Sequence, residues 1–304
     1  MNRPMPNFLI IGAAKAGTTA VYAYLSQHPQ VFMSEWKEPS FFALEGNPTP
    51  FAGPRDAVGE RQRTRDLARY QALFRDVTDQ RAIGEASTLY LFTDQAAARI
   101  RRYLPDVKLM AILRNPVERA YSAYRYLRRD EREPLPTFEE ALAAEESRLR
   151  ANWEPIWAYR TGGCYYAQVK RYFDLFPREQ IEVYLYEDFE RRPLSIMRDT
   201  FGFLGVDPTF EPDMSIRYNV SGDVRSRFVH SLFAAPSAAK DVLRPLLPRA
   251  MRQRLRGAIM ERNTKPTQSL MAPETRCALA EFYREDIRRL SELLGRDLSE
   301  WETS

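Results

Sequence analysis

The segment that most constrains this chain is residues 8–25, FLIIGAAKAGTTAVYAYL, in which an apolar run leads through a glycine loop into a helical pattern. The pattern predicts a buried strand over 8–12 and a helix that begins at about residue 18. Backbone N–H groups of such a loop and of the first helical turn point at one spot, and the helix dipole adds positive potential there. The segment therefore predicts a phosphate site.

The lysine of this loop stands in an unusual position. P-loop nucleoside triphosphatases (NTPases) follow the pattern G-x-x-x-x-G-K-[ST], and Gly12 and Gly17 keep the spacing of its glycines. Lys15, however, lies inside the loop, and Thr18 occupies the position of the expected lysine. We therefore expect the loop to bind phosphate in a different transfer reaction.

Apolar runs over 8–12, 82–85, 108–113 and 181–186 alternate with helical patterns. This alternation predicts an α/β fold with a central parallel sheet flanked by helices, and ligands of such sheets bind beyond the carboxyl ends of the strands. The stretch 28–56 reads as mostly irregular. We expect a single domain over 1–304 with a mainly helical C-terminal portion from about 227, including helices near 227–233, 248–260 and 273–294.

The charge balance favours a small anionic ligand. The net charge is +4, and arginine carries most of the positive charge. Arginine favours bidentate phosphate or sulfate contacts, and an excess this small does not predict nucleic-acid binding.

We expect a cytoplasmic protein without a membrane span, since no apolar run reaches about 18 residues and the first strand begins too early to leave room for a signal peptide. Cys164 and Cys277, far apart in sequence, predict neither a disulfide framework nor a zinc site.

A second motif follows the strand 108–113. Arg114 ends the strand, Pro116 opens a helix, and Ser122 lies about two helical turns further on. Arg114 and Ser122 would then be able to hold one phosphate group together. A magnesium-dependent ATPase would have an acidic residue at this strand end, so the arginine argues against one. Taken alone, a strand-terminal arginine is more often a structural ion-pair residue.

The two motifs together resemble the 5′-phosphosulfate loop and the 3′-phosphate motif of sulfotransferases that use 3′-phosphoadenosine 5′-phosphosulfate (PAPS). The nearest likeness is to bacterial enzymes related to the heparan sulfate sulfotransferase branch. Further family-like segments follow in order at 37–42 (KEPSFF), 163–165 (GCY) with 176–177 (FP), 186–189 (YEDF) and, more weakly, 219–222 (NVSG).

The resemblance implies a role for each matching residue. Lys15 would contact the phosphosulfate and stabilise the leaving phosphate, and Glu38 would be the general base. The other implied cofactor contacts are Ala16, Gly17, Thr18 and Thr19 at the 5′-phosphate, Arg114 and Ser122 at the 3′-phosphate, Tyr165 near the nucleotide, and Ser221, Gly222, Arg225 and Arg227 in a capping loop. No metal is implied, because the leaving group is already a good one.

The resemblance implies sulfuryl transfer to a hydroxyl, or alternatively an amine, of a small molecule or carbohydrate. The heparan branch has a lysine where this chain has Ala86, which argues against a polysulfated glycan acceptor. Glu85 is either a second site carboxylate or the partner of an arginine, and His28 is the reserve base. An ATP-dependent P-loop kinase and a non-catalytic nucleotide-binding protein are the alternatives. The sequence leaves a homo-oligomer open.

Overall fold

A five-stranded parallel sheet forms the centre of the fold. The computed structural model describes residues 5–215, 223–224, 264–265 and 271–302. The strands lie in the order β2-β3-β1-β4-β5, with all four pairings parallel. Their bounds are β1 Phe8–Gly12, β2 Val31–Met33, β3 Ala82–Ala86, β4 Lys108–Leu113 and β5 Ile181–Leu185.

The central strands are buried on both faces. All five residues of β1 are buried, as are five of the six in β4. Strands without an exposed face belong to a sheet that helices cover on both sides. The predicted α/β class, with a central parallel sheet flanked by helices, is confirmed.

The helices connect and cover the strands. They are α1 Thr18–Leu25, α2 Phe41–Leu44, α3 Asp56–Glu60, α4 Leu67–Gln71, α5 Leu89–Phe92, α6 Ala96–Tyr103, α7 Pro116–Arg129, α8 Phe138–Ala143, α9 Glu145–Arg150, α10 Tyr165–Phe173, α11 Tyr186–Arg191, α12 Pro193–Leu204 and α13 Pro273–Leu294. No helix of the described part is long and apolar enough to cross a membrane.

In the C-terminal portion, α13 confirms the helix expected at 273–294, and the short antiparallel pair β6 Asp223–Val224 and β7 Thr264–Lys265 precedes it. The helices expected near 227–233 and 248–260 lie outside the described residues.

Residues 28–56 are mostly irregular, as the sequence predicted, but they include the edge strand β2, which was not predicted. It has only three residues, Val31–Met33, and pairs with β3. A three-residue strand is too short to show an alternating pattern of hydrophobic residues, so only its pairing partner reveals it.

The start of α7 fixes the end of β4. The Asn115 side chain accepts hydrogen bonds from the N–H groups of Val117 and Glu118, and Pro116 occupies the first turn. Both features favour a helix start at this point. Arg114 is thereby held between the strand and the helix, at the carboxyl edge of the sheet.

Candidate active site

The loop after β1 leads directly into α1 at this same edge. Gly17 has a φ of +89°, and a Cβ on it would lie 3.0 Å from the Tyr186 ring, so both backbone and space require glycine here. Within α1 the first bond of the α-helical pattern runs from the Val21 N–H to the Gly17 carbonyl. The N–H groups of Thr18 and Thr19 therefore have no acceptor within the helix, as expected for an anion site.

Lys15 projects from the loop towards aromatic and cationic neighbours. Its φ is +73°, and its Nζ lies 4.1 Å from the centre of the Tyr126 ring. Burial, and next the positive charge of Arg129, lower the pKa of the Lys15 amino group to about 7. A bound anion would reverse this effect, because it stabilises the ammonium form.

Arg114 connects the two sequence motifs. Its Nη1 donates to the Lys15 carbonyl at 3.4 Å, and its guanidinium lies 4.6 Å from the centre of the Tyr186 ring. Tyr186 thus contacts Arg114 and also occupies the space beside Gly17. Ser122 lies half-buried on α7, and Tyr165 is buried at the start of α10.

Arg119 supports the loop from beneath. This buried side chain donates through Nε to the Ala14 carbonyl at 3.3 Å, and through Nη1 to the carbonyls of Ala158 and Tyr159 at 2.7 and 3.0 Å. A Cβ on Gly162 would collide with its guanidinium. Arg119 is therefore a brace between the loop and residues 158–162.

Glu38 lies across the cavity on a loop with left-handed backbone. Its φ is +64°, and its Oε2 accepts the Thr88 N–H at 2.7 Å. The Thr88 hydroxyl donates to the same carboxylate at 3.1 Å, and Lys37 pairs with Oε1 at 2.8 Å. The side chain is 31% exposed, so the hydrogen-bonded Glu38 side chain remains partly open to solvent.

One cavity of about 230 Å³ brings the two predicted catalytic residues together. Lys15 and Glu38 both line it, with Gly17, Thr18 and Thr19 of the loop. Ala16, within the loop, is buried. Ala16, Arg114, Ser122 and Tyr165 do not line this cavity, and Ser221, Gly222, Arg225 and Arg227 lie outside the described residues.

A buried ion network forms another part of the wall. Arg132 donates to Glu154 at 2.8 Å and also contacts the buried Asp56. Glu154 in turn pairs with the buried Arg63. Arg132 and Glu154 line the cavity between apolar groups of Leu89, Phe92, Pro155 and Ile156.

Glu85 has neither of the two roles considered from the sequence. It is fully buried, does not line the cavity, and accepts hydrogen bonds from the hydroxyls of Tyr90, Ser87 and Tyr70 at 2.6, 2.8 and 3.1 Å. Its hydrogen-bond partners in the described structure are these hydroxyls, not an arginine.

The reserve base His28 is also misplaced for catalysis. It is buried between the rings of Phe201 and Phe210, and its Nδ1 accepts the Gln30 N–H at 3.0 Å. It does not line the cavity. His28 instead packs the chain after α1 against α12.

Four further residues that line the site, Thr88, Tyr126, Arg132 and Glu154, were not predicted from the sequence. Thr88 follows β3 at the carboxyl edge of the sheet, so the strand-end rule that selected Arg114 would also have found it. Tyr126 and Arg132 lie in and just after α7, Glu154 lies in the segment after α9, and no motif marks them. Only the tertiary fold reveals these three.

A family model described as "Sulfotransferase domain" matches residues 5–291. Among solved structures, a sulfotransferase from Alicyclobacillus acidocaldarius is 40% identical, with a TM-score of 0.78 over 98% of this chain and 99% of that one.

Two curated relatives show how much of a longer protein this chain matches. The bifunctional heparan sulfate N-deacetylase/N-sulfotransferase 3 of Homo sapiens is 27% identical over 71% of this chain and 24% of the relative. The membrane-associated sulfotransferase kil1 of Dictyostelium discoideum is 33% identical over 47% of this chain and 28% of the relative. The chain thus spans about a quarter of the length of these relatives.

Proposed function

Because this chain belongs to the sulfotransferase domain family, we propose that it transfers a sulfuryl group from PAPS to a hydroxyl of a small-molecule or carbohydrate acceptor. Membership confirms the resemblance found in the sequence and the assignment as a sulfotransferase enzyme. The observation that carries the proposal is the shared cavity of Lys15 and Glu38. A cation for the leaving group and a carboxylate for the attacking group line one small space.

The donor would lie along the loop. The N–H groups of Gly17, Thr18 and Thr19 bind the 5′-phosphate, and Lys15 reaches the oxygen that bridges phosphorus and sulfur. Negative charge builds on that oxygen as the S–O bond breaks, so a cation placed there stabilises the transition state more than the ground state.

The rest of the donor would extend away from the cavity. Arg114 and Ser122 hold the 3′-phosphate, and Tyr165 lies close to the nucleotide. Ala16 shapes the loop, and Ser221, Gly222 and Arg225 remain predicted contacts of a capping loop. The contact of Arg114 with the Lys15 carbonyl supports this arrangement, because it joins the two phosphate motifs directly.

Glu38 would act as the general base. As the acceptor oxygen attacks sulfur in line with the departing phosphate, its proton passes to the Glu38 carboxylate, and 3′-phosphoadenosine 5′-phosphate (PAP) is released. A positioned base of this kind contributes about 10²- to 10⁴-fold to the rate. Thr88 and Lys37 already donate hydrogen bonds to the Glu38 carboxylate. A carboxylate can accept about four hydrogen bonds, so one lone pair remains for the proton of the acceptor hydroxyl.

Two observations favour a small acceptor with an apolar body over a polyanionic glycan. Apolar groups of Leu89, Phe92 and Ile156 line the cavity, and the guanidinium of Arg132 is already paired with carboxylates. The names of the heparan sulfate relatives support a carbohydrate, and an amine in place of the hydroxyl, as the alternative acceptor chemistry.

An ATP-dependent kinase and a non-catalytic nucleotide-binding protein are weaker candidates. Arg114, and no carboxylate, follows β4, where a magnesium-dependent phosphoryl transferase would place an acidic group. Binding alone would give Glu38 no reason to share a cavity with Lys15.

Calorimetry with PAP, with and without magnesium, tests the donor. We expect binding that magnesium does not change and that ATP displaces poorly; tighter, magnesium-dependent binding of ATP would contradict the proposal. Transfer of labelled sulfuryl from PAPS to a panel of alcohols, phenols, sugars, polysulfated sugars and amines then identifies the acceptor. A panel in which polysulfated sugars alone react would contradict the small apolar acceptor.

A further inference from the structure

A buried hydrogen-bond chain leads from β3 to the loop that carries Glu38. It begins at Glu85, whose carboxylate is fully enclosed and accepts the hydroxyls of Tyr70, Ser87 and Tyr90. Buried carboxylates are costly unless hydrogen bonds satisfy them, and here three neutral donors do so. The carboxylate is therefore held rigidly, although it lies outside the cavity.

Ser87 connects Glu85 to the loop that carries Glu38. Its hydroxyl donates to Glu85 Oε2 at 2.8 Å, and its Oγ accepts the Ser40 N–H at 2.9 Å. Because the hydroxyl proton is used towards Glu85, the oxygen lone pair is directed to Ser40. Ser87 thus links the Glu85 carboxylate and its hydroxyl partners to the 38–40 backbone by these two bonds.

The 38–40 backbone needs such an anchor. Glu38 and Ser40 have φ values of +64° and +56°, and left-handed backbone is unfavourable for residues with a Cβ. The Glu38 N–H donates to the Ala86 carbonyl at 2.8 Å. The loop is therefore fixed to residues 86–88 on both sides of Pro39, with the Glu38 carboxylate held by Thr88.

We propose that Glu85 is a positioning residue for sulfuryl transfer, which acts through Ser87 and Ser40 to hold Glu38 in the orientation that accepts the acceptor proton. This inference rests on the proposed role of Glu38 as base. Glu85 itself touches neither donor nor acceptor. Loss of the chain should lower the rate of the chemical step without changing how the loop after β1 binds the nucleotide.

Electrostatics links the two carboxylates as well. Burial chiefly raises the pKa of Glu85 to about 7, the hydroxyls of Tyr90, Ser87 and Tyr70 oppose this shift, and the charge of Glu38 adds to it. The negative charge of Glu38 therefore affects the pKa of Glu85, as expected for neighbouring acids in one network.

The decisive variants are Ser87→Ala, which cuts the chain at its link, and Glu85→Gln, which keeps the shape of the side chain. We expect each to lower kcat at least tenfold at saturating PAPS, with Ser87→Ala the more severe, while the Kd for PAP stays within twofold. Thr200→Ala is the matched control, since it removes an equally buried hydroxyl that donates to the Ile196 carbonyl far from the loop, and its kcat should stay within twofold.

A double-variant cycle separates positioning from general destabilisation. If Ser87 acts through Glu38, Ser87→Ala should cost less than twofold in kcat when added to Glu38→Gln. The same tenfold loss in both backgrounds would overturn the inference. So would wild-type kcat in both Ser87→Ala and Glu85→Gln, while an active Glu38→Gln enzyme would instead overturn the proposed base and the inference with it.

Discussion

Thr88 donates its backbone N–H to Glu38 Oε2 at 2.7 Å and its hydroxyl to the same carboxylate. Thr88, two positions beyond the end of β3, thus orients a carboxylate that is 50 positions earlier in the chain. Because Thr88 follows β3, which pairs with β1 and β2, the orientation of Glu38 is tied to the central sheet.

Replacement of Glu38 by glutamine should stop transfer but spare donor binding. The amide keeps the size of the side chain but has almost no basicity, so we expect kcat to fall about 10²- to 10⁴-fold, with the Kd for PAP within twofold of wild type. Initial rates and calorimetry measure the two effects. Glu211→Gln, at an exposed pair with Arg198, is the control and should leave both unchanged; an active Glu38→Gln enzyme would move the base elsewhere.

Donor binding should take up a proton at Lys15. In the free protein, burial and Arg129 hold the pKa of Lys15 at about 7, so the amine is mostly neutral at pH 8. A bound phosphate favours the ammonium, so binding at pH 8 should consume about one proton, and affinity for PAP should weaken about tenfold per pH unit above pH 7. Calorimetry in two buffers of different ionisation enthalpy measures the uptake.

Lys15→Met should abolish this uptake and leave a weaker, less pH-dependent Kd. The matched control is Lys170→Met, which removes an exposed lysine paired with Asp174 and should bind PAP as wild type does. Proton uptake that persists in Lys15→Met would assign the effect to another group.

The sequence predicted the parts of the site that follow from local rules. Strand ends, a glycine loop and a proline at a helix start placed Lys15 and Arg114 at one edge of a parallel sheet, and the structure joins them through the Lys15 carbonyl. Glu38 entered through the family resemblance, because nothing in the residues 36–40 alone separates a base from a solvated charge.

The parts it missed depend on long-range packing. From the sequence, Glu85 was a candidate site carboxylate, yet the hydroxyls of Tyr70, Ser87 and Tyr90 enclose it. Tyr70 comes from α4, an element separate from the strand β3 that carries Glu85. The wall formed by Arg132 and Glu154 requires Asp56 from α3. Neither arrangement has a periodic or motif signature, so only the assembled core shows it.

Arg114 should discriminate donors by their 3′-phosphate. If its guanidinium binds that group, Arg114→Ala should weaken PAP binding about 10- to 100-fold, or about 1.4–2.8 kcal/mol. The affinity for adenosine 5′-phosphate, which lacks the 3′-phosphate, should fall less than threefold. Arg191→Ala, at an exposed pair with Glu300, is the control; equal losses for both nucleotides would make Arg114 a support of the loop and not a 3′-phosphate ligand.

Glu85 should make the folded protein less stable as the pH rises. Its pKa is about 7 in the folded state and 4.5 for the ordinary carboxyl, so between these values the folded chain holds a proton that the unfolded chain releases. The stabilisation is complete below pH 4.5 and is lost as pH rises through 7, a loss of about 2–3 kcal/mol between pH 5 and pH 8. Urea unfolding of wild type and Glu85→Gln measures this as a difference, since all other carboxyls cancel. As the pH rises, the unfolding free energy of wild type should fall relative to that of Glu85→Gln. A pH-independent difference would mean that Glu85 is ionised throughout this range.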